Sequence, residues 1–159
     1  MKKPNRNNIG NAGEYYVAHI LSSRNYITTI TLGRAEKYDI LAVAPNKKTI
    51  KIQVKTLFDK GWAFRMTKKD EKGGGKNFFY VFVRLNKLEK EPEYWVFPSL
   101  LVNKIIREIH KKYSGSRNKS GKKPKKTDIR AFVVRDHRLY PKKWGYVCSK
   151  KYYKNYSIF

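Results

Sequence analysis

The stretch KYDILAVAPNKKTIKIQVKT, residues 37–56, constrains the fold most, because it reads as two strands joined by a Pro-Asn turn. Apolar and polar side chains alternate along most of it, which predicts a hairpin with one buried and one polar face. In the second strand the polar face comprises Lys51, Gln53 and Lys55. Asp39 is the exception, a carboxylate at the start of a strand that is otherwise apolar.

The length of the turn decides which face Asp39 occupies, because a shift of one residue moves every side chain of a strand to the opposite face. A loop of Pro45 to Lys47 would pair Asp39 with Gln53, and a loop of Pro45 to Thr49 would pair it with Lys55. An unbulged loop of even length would turn Asp39 away from both. An odd loop therefore predicts a carboxylate, an amide and an ammonium at one edge of the sheet.

A second acid stands out in the segment before the hairpin. Residues 9–23 are predicted to be helical, and their apolar positions are Val17, Ala18 and Leu21. Glu14 precedes these positions at helical spacing, so it projects from the apolar stripe, where a carboxylate is costly unless it is paired or bound. Gly10 and Gly13 in the first turns predict a close approach of another part of the backbone.

Together these residues predict a site for a hard cation. Two carboxylates, Glu14 and Asp39, and the amide oxygen of Gln53 are ligands suited to Mg²⁺. A lysine beside them, Lys55, can position and help to deprotonate a water molecule, while a metal ion stabilises charge on a phosphate.

The rest of the chain predicts more strands and one more helix. Strands are expected at 26–31, 62–66, 78–85 and 93–97, with a mobile loop at 68–77. The second helix is expected to begin at Pro98-Ser99, with Ser99 as its N-cap, and a flexible basic loop is expected at 111–127. The aromatic tail is expected to pack back on the core, giving one domain over residues 1–159.

The charge indicates the class of partner. The chain has 37 Lys and Arg against 12 Asp and Glu, a net charge of +25, and such a field favours a polyanion, most simply nucleic acid. From the sequence we expect no signal peptide and no membrane-spanning run, and a single cysteine, Cys148, predicts a reducing cytoplasm. A basic RNA-associated protein would explain the charge but would leave Glu14 and Asp39 without a role.

The order Glu14, Tyr38-Asp39, a turn, and Gln53-Val54-Lys55 resembles the PD-(D/E)XK nuclease superfamily. The resemblance implies an α/β restriction-endonuclease-like core, in which a central mixed β-sheet is flanked by helices. It further implies that Asp39 and Gln53 bind Mg²⁺, with Mn²⁺ as a substitute, and that Lys55 activates the attacking water. Glu14 corresponds to the family's helix acid. Tyr38 replaces the family's proline and Gln53 its second acid, a variant similar to intron-encoded homing endonucleases.

The resemblance implies a metal-dependent DNA endonuclease of the homing, restriction or repair type. The alternative is a catalytically inactive nucleic-acid-binding protein with the same fold. In either case we expect the loop lysines to contact DNA phosphates: Lys122, Lys123, Lys125 and Lys126. A double-strand break needs two active centres, so we expect a homodimer or a higher homo-oligomer.

Overall fold

The computed structural model describes residues 2–31, 38–117, 120–135 and 151–159. Its helices are α1 (Arg6–Ser22) and α2 (Ser99–Gly115). Its strands are β1 (Ile27–Ile30), β2 (Ile40–Val43), β3 (Thr49–Leu57), β4 (Ala63–Thr67), β5 (Phe78–Arg84), β6 (Glu93–Pro98) and β7 (Ile129–Val133). Short 3₁₀ turns lie at Lys68–Glu71, Asn86–Leu88 and Tyr156–Ile158.

Five strands form a mixed sheet in the order β1-β2-β3-β5-β6. The β3–β5 pair is parallel, and the other neighbours are antiparallel. With helices on its faces this is the predicted fold class, α/β with a central mixed β-sheet flanked by helices. Strand β5, between β3 and β6, is buried along its whole length, as expected from its continuous apolar sequence.

Each face of the sheet has its own core. On one face α1 packs through Ile9, Val17 and Leu21 onto the apolar side of β2 and β3. On the other face lie α2 and a second, two-stranded sheet formed by β4 and β7. The aromatic tail joins both cores, as predicted: Tyr152 belongs to the α2-side core, and Tyr156 to the α1-side core.

Three local predictions from the sequence were wrong. Strand β7 was not predicted, and the loop expected at 111–127 begins only after Gly115, because α2 continues through Lys111 and Lys112, both good helix formers. Ser99 is the first helical residue rather than the N-cap, which is Pro98. Its buried hydroxyl instead exchanges hydrogen bonds with the backbone of Gly75, at 3.2 and 3.3 Å.

Two features named in the sequence analysis lie, in whole or in part, outside the described residues. These are Cys148 and positions 118–119 of the basic loop. Among the described residues, neither helix combines the length and the apolar content that a membrane span requires.

Candidate active site

The β2–β3 hairpin has the odd loop that brings Asp39 to the polar face. Ala44 N–H donates to the Lys48 carbonyl at 2.9 Å, which closes a loop of Pro45 to Lys47. Lys47 takes a left-handed conformation with φ of 64°, a common feature of three-residue hairpin loops. Ile40 pairs with Ile52, so Asp39 stands opposite Gln53, which confirms the register predicted for this loop length.

The Asp39 carboxylate lies where β2 separates from β3. Regular pairing ends at Ile40–Ile52, and the Asp39 N–H donates to the Ile52 carbonyl at 2.8 Å. Beyond that point Oδ2 of Asp39 accepts from the Val54 N–H at 2.7 Å and from Nε2 of Gln53 at 2.5 Å. The carboxylate thus supplies the acceptor that a continuing strand would have supplied with its carbonyl. Its Oδ1 receives no hydrogen bond from the described residues.

Lys55 follows on the same face and lies beside an acid that the sequence interpretation missed. Its Nζ is 4.0 Å from Oδ1 of Asp70, and the lysine side chain is 27% exposed. The same oxygen accepts from the Tyr80 hydroxyl at 3.0 Å. Oδ2 of Asp70 accepts from the backbone N–H and the hydroxyl of Thr67, at 2.7 and 2.8 Å. These hydrogen bonds hold the Asp70 carboxylate in place, so a carboxylate of fixed position lies next to the Lys55 ammonium.

Asp70 was missed because it lies in the segment 68–77, whose glycines and charges predict a mobile loop. The structure instead holds this segment against α2. Besides the Ser99–Gly75 contact, Nδ2 of Asn103 donates to the Gly73 carbonyl at 2.8 Å. Buried serine and asparagine on an otherwise apolar helix face are a signal that could have indicated such a contact.

Glu14 reaches the site from α1 on the opposite face of the sheet. Gly13 permits this, because a Cβ at Gly13 would lie 1.9 Å from Oγ1 of Thr56 on β3. The predicted close approach therefore holds at Gly13. At Gly10 the nearest atom to an added Cβ is Oε1 of Glu14, 4.0 Å away, so Gly10 leaves room beside the Glu14 carboxylate rather than packing against β3.

The two carboxyls are half-buried and lie within electrostatic range of each other. Burial, and after it the negative charge of Asp39, raises the pKa of Glu14. Burial also raises the pKa of Asp39, although the Val54 N–H, the Lys55 charge and the Gln53 amide oppose the shift. Within the described parts of the chain Glu14 forms no ion pair. A half-buried acid without a cation, beside a second acid, is a site of unbalanced negative charge.

The donor set fits a hard divalent cation that requires few protein ligands. Glu14 and Asp39 provide carboxylate oxygens, and Gln53 provides an amide oxygen, all of which suit Mg²⁺. In the observed arrangement the Gln53 amide turns its nitrogen towards Asp39, so its oxygen reaches a cation only after the amide rotates. The described residues include no group of three or more His, Cys, Asp or Glu positioned to hold a metal.

The predicted DNA-binding lysines lie on a connection that is attached to the turn containing Asp70. Lys122, Lys123, Lys125 and Lys126 are exposed in the connection between α2 and β7. That connection ends beside the Asp70 turn, because the Lys68 N–H donates to the Asp128 carbonyl at 2.8 Å. Buried Arg130 forms an ion pair with Glu71 of the same turn. The basic connection is therefore anchored next to the acid that neighbours Lys55.

Neither a protein-family model nor a curated protein sequence matches the chain. Among solved structures, the chain is similar to a bacterial homing endonuclease, I-Ssp6803I. The two sequences are 17% identical, the match covers 91% of this chain and 87% of that chain, and the TM-score is 0.49.

Proposed function

We propose that the chain is a metal-dependent DNA endonuclease of the PD-(D/E)XK type that hydrolyses phosphodiester bonds. The observation that carries the proposal is the Asp39 carboxylate, which is held by Gln53 and the Val54 N–H and is influenced by the charge of Lys55. It lies near Glu14, an acid that has no ion pair with any residue the structure describes. Metal-dependent phosphoryl chemistry requires acids that can bind a metal ion, together with a lysine close enough to act on the attacking water.

Each side chain has a distinct proposed role. Asp39 and Glu14, with the Gln53 amide oxygen, would hold Mg²⁺, which when bound stabilises charge on the reacting phosphate. Lys55 would orient the attacking water, and its ammonium lies beside Asp70, which the Tyr80 hydroxyl holds in place. Burial and the adjacent Asp70 carboxylate raise the pKa of Tyr80, so its hydroxyl stays protonated and keeps donating to Asp70.

The second candidate is a DNA-binding protein without nuclease activity. One observation favours it: the Gln53 amide already donates a hydrogen bond to Oδ2 of Asp39, so this oxygen has a partner without a cation. The replacement of an acid by an amide also removes one negative charge from the donor set. Metal binding discriminates between the two candidates, because only the nuclease needs it.

Two measurements on the same protein test the proposal. Supercoiled plasmid and branched duplex DNA are incubated with the wild type and Asp39→Ala, in Mg²⁺, Mn²⁺ or EDTA. We expect cleavage only by the wild type and only with a divalent ion, while DNA binding by the variant stays intact. Added Mg²⁺ should also raise the unfolding temperature of the wild type but not that of Asp39→Ala. Cleavage by both proteins, or in EDTA, would contradict the proposal.

The organisation of the protein is part of the same proposal. Residues 1–159 would form a single nuclease domain, and one domain supplies one active centre. A homodimer or higher oligomer would supply the second centre that a double-strand break needs.

A further inference from the structure

The sheet of β4 and β7 has an outward face that is unusual for a solvated surface. Its inward side chains, Phe64, Met66 and Phe132, are buried in the α2-side core. By register the outward positions are Ala63, Arg65, Thr67, Ile129, Ala131 and Val133, and all of them except Val133 are exposed. Arg65 is the one charged side chain in this set.

An exposed face of this composition contrasts with the rest of the chain. Charged residues make up 31% of the sequence, and lysines dominate its exposed loops. Natural proteins usually place charges on free two-stranded sheets, because uncharged ones associate with other molecules. Here five of the six outward side chains are uncharged, and Ile129 is 49% exposed. The face has the character of a contact surface.

One end of the ribbon is basic, whereas its face is not. Lys68 and Lys69 follow Thr67 directly, and the lysines at 122–126 lead into β7 through Asp128, the one exposed acid at this end. Cations clustered at one end of a strip of uncharged side chains can contact the phosphates that border the base edges of a duplex groove. The charge distribution therefore favours DNA as the occupant of the face.

The ribbon is also joined to the candidate active site. Thr67, at the end of β4, donates both of its hydrogen bonds to Asp70, which lies beside Lys55. Arg65 borders a cleft of about 580 Å³ that is also lined by Thr56, the residue after Lys55. The ribbon is therefore tied to the surroundings of Lys55 through Thr67 and Asp70, whereas the Arg65 cleft opens towards the N-terminal end of α1.

We propose that the outward face of β4 and β7 enters the major groove of duplex DNA and reads base edges there, with Arg65 recognising guanine. This inference rests on the proposed function, because it takes DNA as the ligand. The major groove admits a two-stranded ribbon, and five residues of strand span about 17 Å.

The individual side chains suit this role. An arginine can donate two hydrogen bonds to O6 and N7 of guanine. Arg65 pairs across the ribbon with Ala131, which is too small to obstruct an arginine that extends away from the sheet. The methyl groups of Thr67 and of the two alanines suit contact with the methyl group of thymine.

The test is a selection of binding sequences from a pool of duplexes with a randomised centre, in EDTA so that nothing is cleaved. Wild type, Arg65→Ala and the matched control Arg107→Ala, an exposed arginine on α2, are compared. We expect the wild type to enrich a motif, Arg65→Ala to lose a guanine at one position of each half-site, and Arg107→Ala to keep the motif. Affinity of Arg65→Ala for the wild-type motif should fall roughly 5- to 150-fold.

A base analogue then identifies the groove. Replacement of that guanine by 7-deazaguanine removes the N7 acceptor, so it should weaken the wild type and leave Arg65→Ala unchanged. Identical motifs for the wild type and Arg65→Ala would overturn the inference. So would a loss of affinity equal for all sequences, which marks a phosphate contact. A wild type that nicks DNA but selects no motif would overturn this inference alone, whereas a failure to bind any duplex would overturn the proposed function as well.

Discussion

At the scale of single residues, Gly13 sets how closely α1 approaches β3, and so where Glu14 stands. Alanine there would place its Cβ 1.9 Å from Oγ1 of Thr56, which forces the helix away from the sheet. We expect Gly13→Ala to lower the free energy of unfolding by about 1–3 kcal/mol, as overpacking does. Gly10→Ala is the matched control, because its Cβ would meet nothing closer than 4.0 Å. Its better helix propensity should stabilise the protein by up to about 1 kcal/mol.

Urea unfolding of the two variants provides the comparison. Opposite signs would support the close approach at Gly13. If both substitutions stabilised the protein equally, α1 would not pack against Thr56 as described, and the position of Glu14 would have to be revised.

The acid pair gives a second prediction at this scale. The pKa values of Asp39 and Glu14 are raised, so the folded chain binds these protons more tightly than the unfolded chain. The free energy of unfolding must then fall as the pH rises from the ordinary carboxyl pKa through the raised values. Asp39→Asn removes one ionising group, and its amide oxygen can still accept from the Val54 N–H.

We therefore expect Asp39→Asn in EDTA to be more stable than the wild type at neutral pH. The difference should shrink towards zero below the ordinary aspartate pKa of about 3.9, where the wild type is protonated too. Urea titrations at several pH values measure it. A difference that does not change with pH would show that the Asp39 charge is not strained in the folded protein.

At the scale of elements, we propose that the basic connection between α2 and β7 binds DNA phosphates through its charge. Substitution of alanine at Lys122, Lys123, Lys125 and Lys126 should flatten the dependence of DNA affinity on salt, by up to about 0.9 log units in slope per lost phosphate contact. The loss should be nearly equal for all sequences, because phosphate contacts do not specify bases. Lys47→Ala with Lys48→Ala, at the hairpin tip remote from Lys55, serves as the control and should leave the slope unchanged. Equal slopes for all three proteins would remove the connection from the DNA interface.

The elements also show how far the sequence alone could lead. Alternating side chains and a Pro-Asn turn were enough to predict the β2–β3 hairpin and an odd loop that brings Asp39 to the polar face, because these depend on residues close in the chain. The choice between pairing Asp39 with Gln53 and pairing it with Lys55 came only from the structure. Strand β7 and the contact of Asp70 with Lys55 were not predictable in this way. They depend on long-range partners, such as Arg130 with Glu71 and Tyr80 with Asp70, that leave no local pattern.

At the scale of the whole molecule, a single active centre predicts assembly. We expect light scattering to show a homodimer or a higher oligomer at working concentration, and we expect supercoiled plasmid to be linearised by that species. A monomer that makes concerted double-strand cuts would contradict the assembly. A monomer that only nicks would leave the catalytic proposal standing and remove the oligomer.

The central claim is that Lys55 acts in phosphodiester hydrolysis next to Asp39, and one rate tests it most directly. The initial rate of plasmid nicking in Mg²⁺ is measured for the wild type, Lys55→Ala and Lys51→Ala, a lysine on the same face of the same strand. We expect Lys55→Ala to lose about 10²–10⁴-fold in rate, the range for a lost proton-transfer group, with DNA affinity retained. Lys51→Ala should cleave like the wild type. Wild-type nicking by Lys55→Ala would contradict the account.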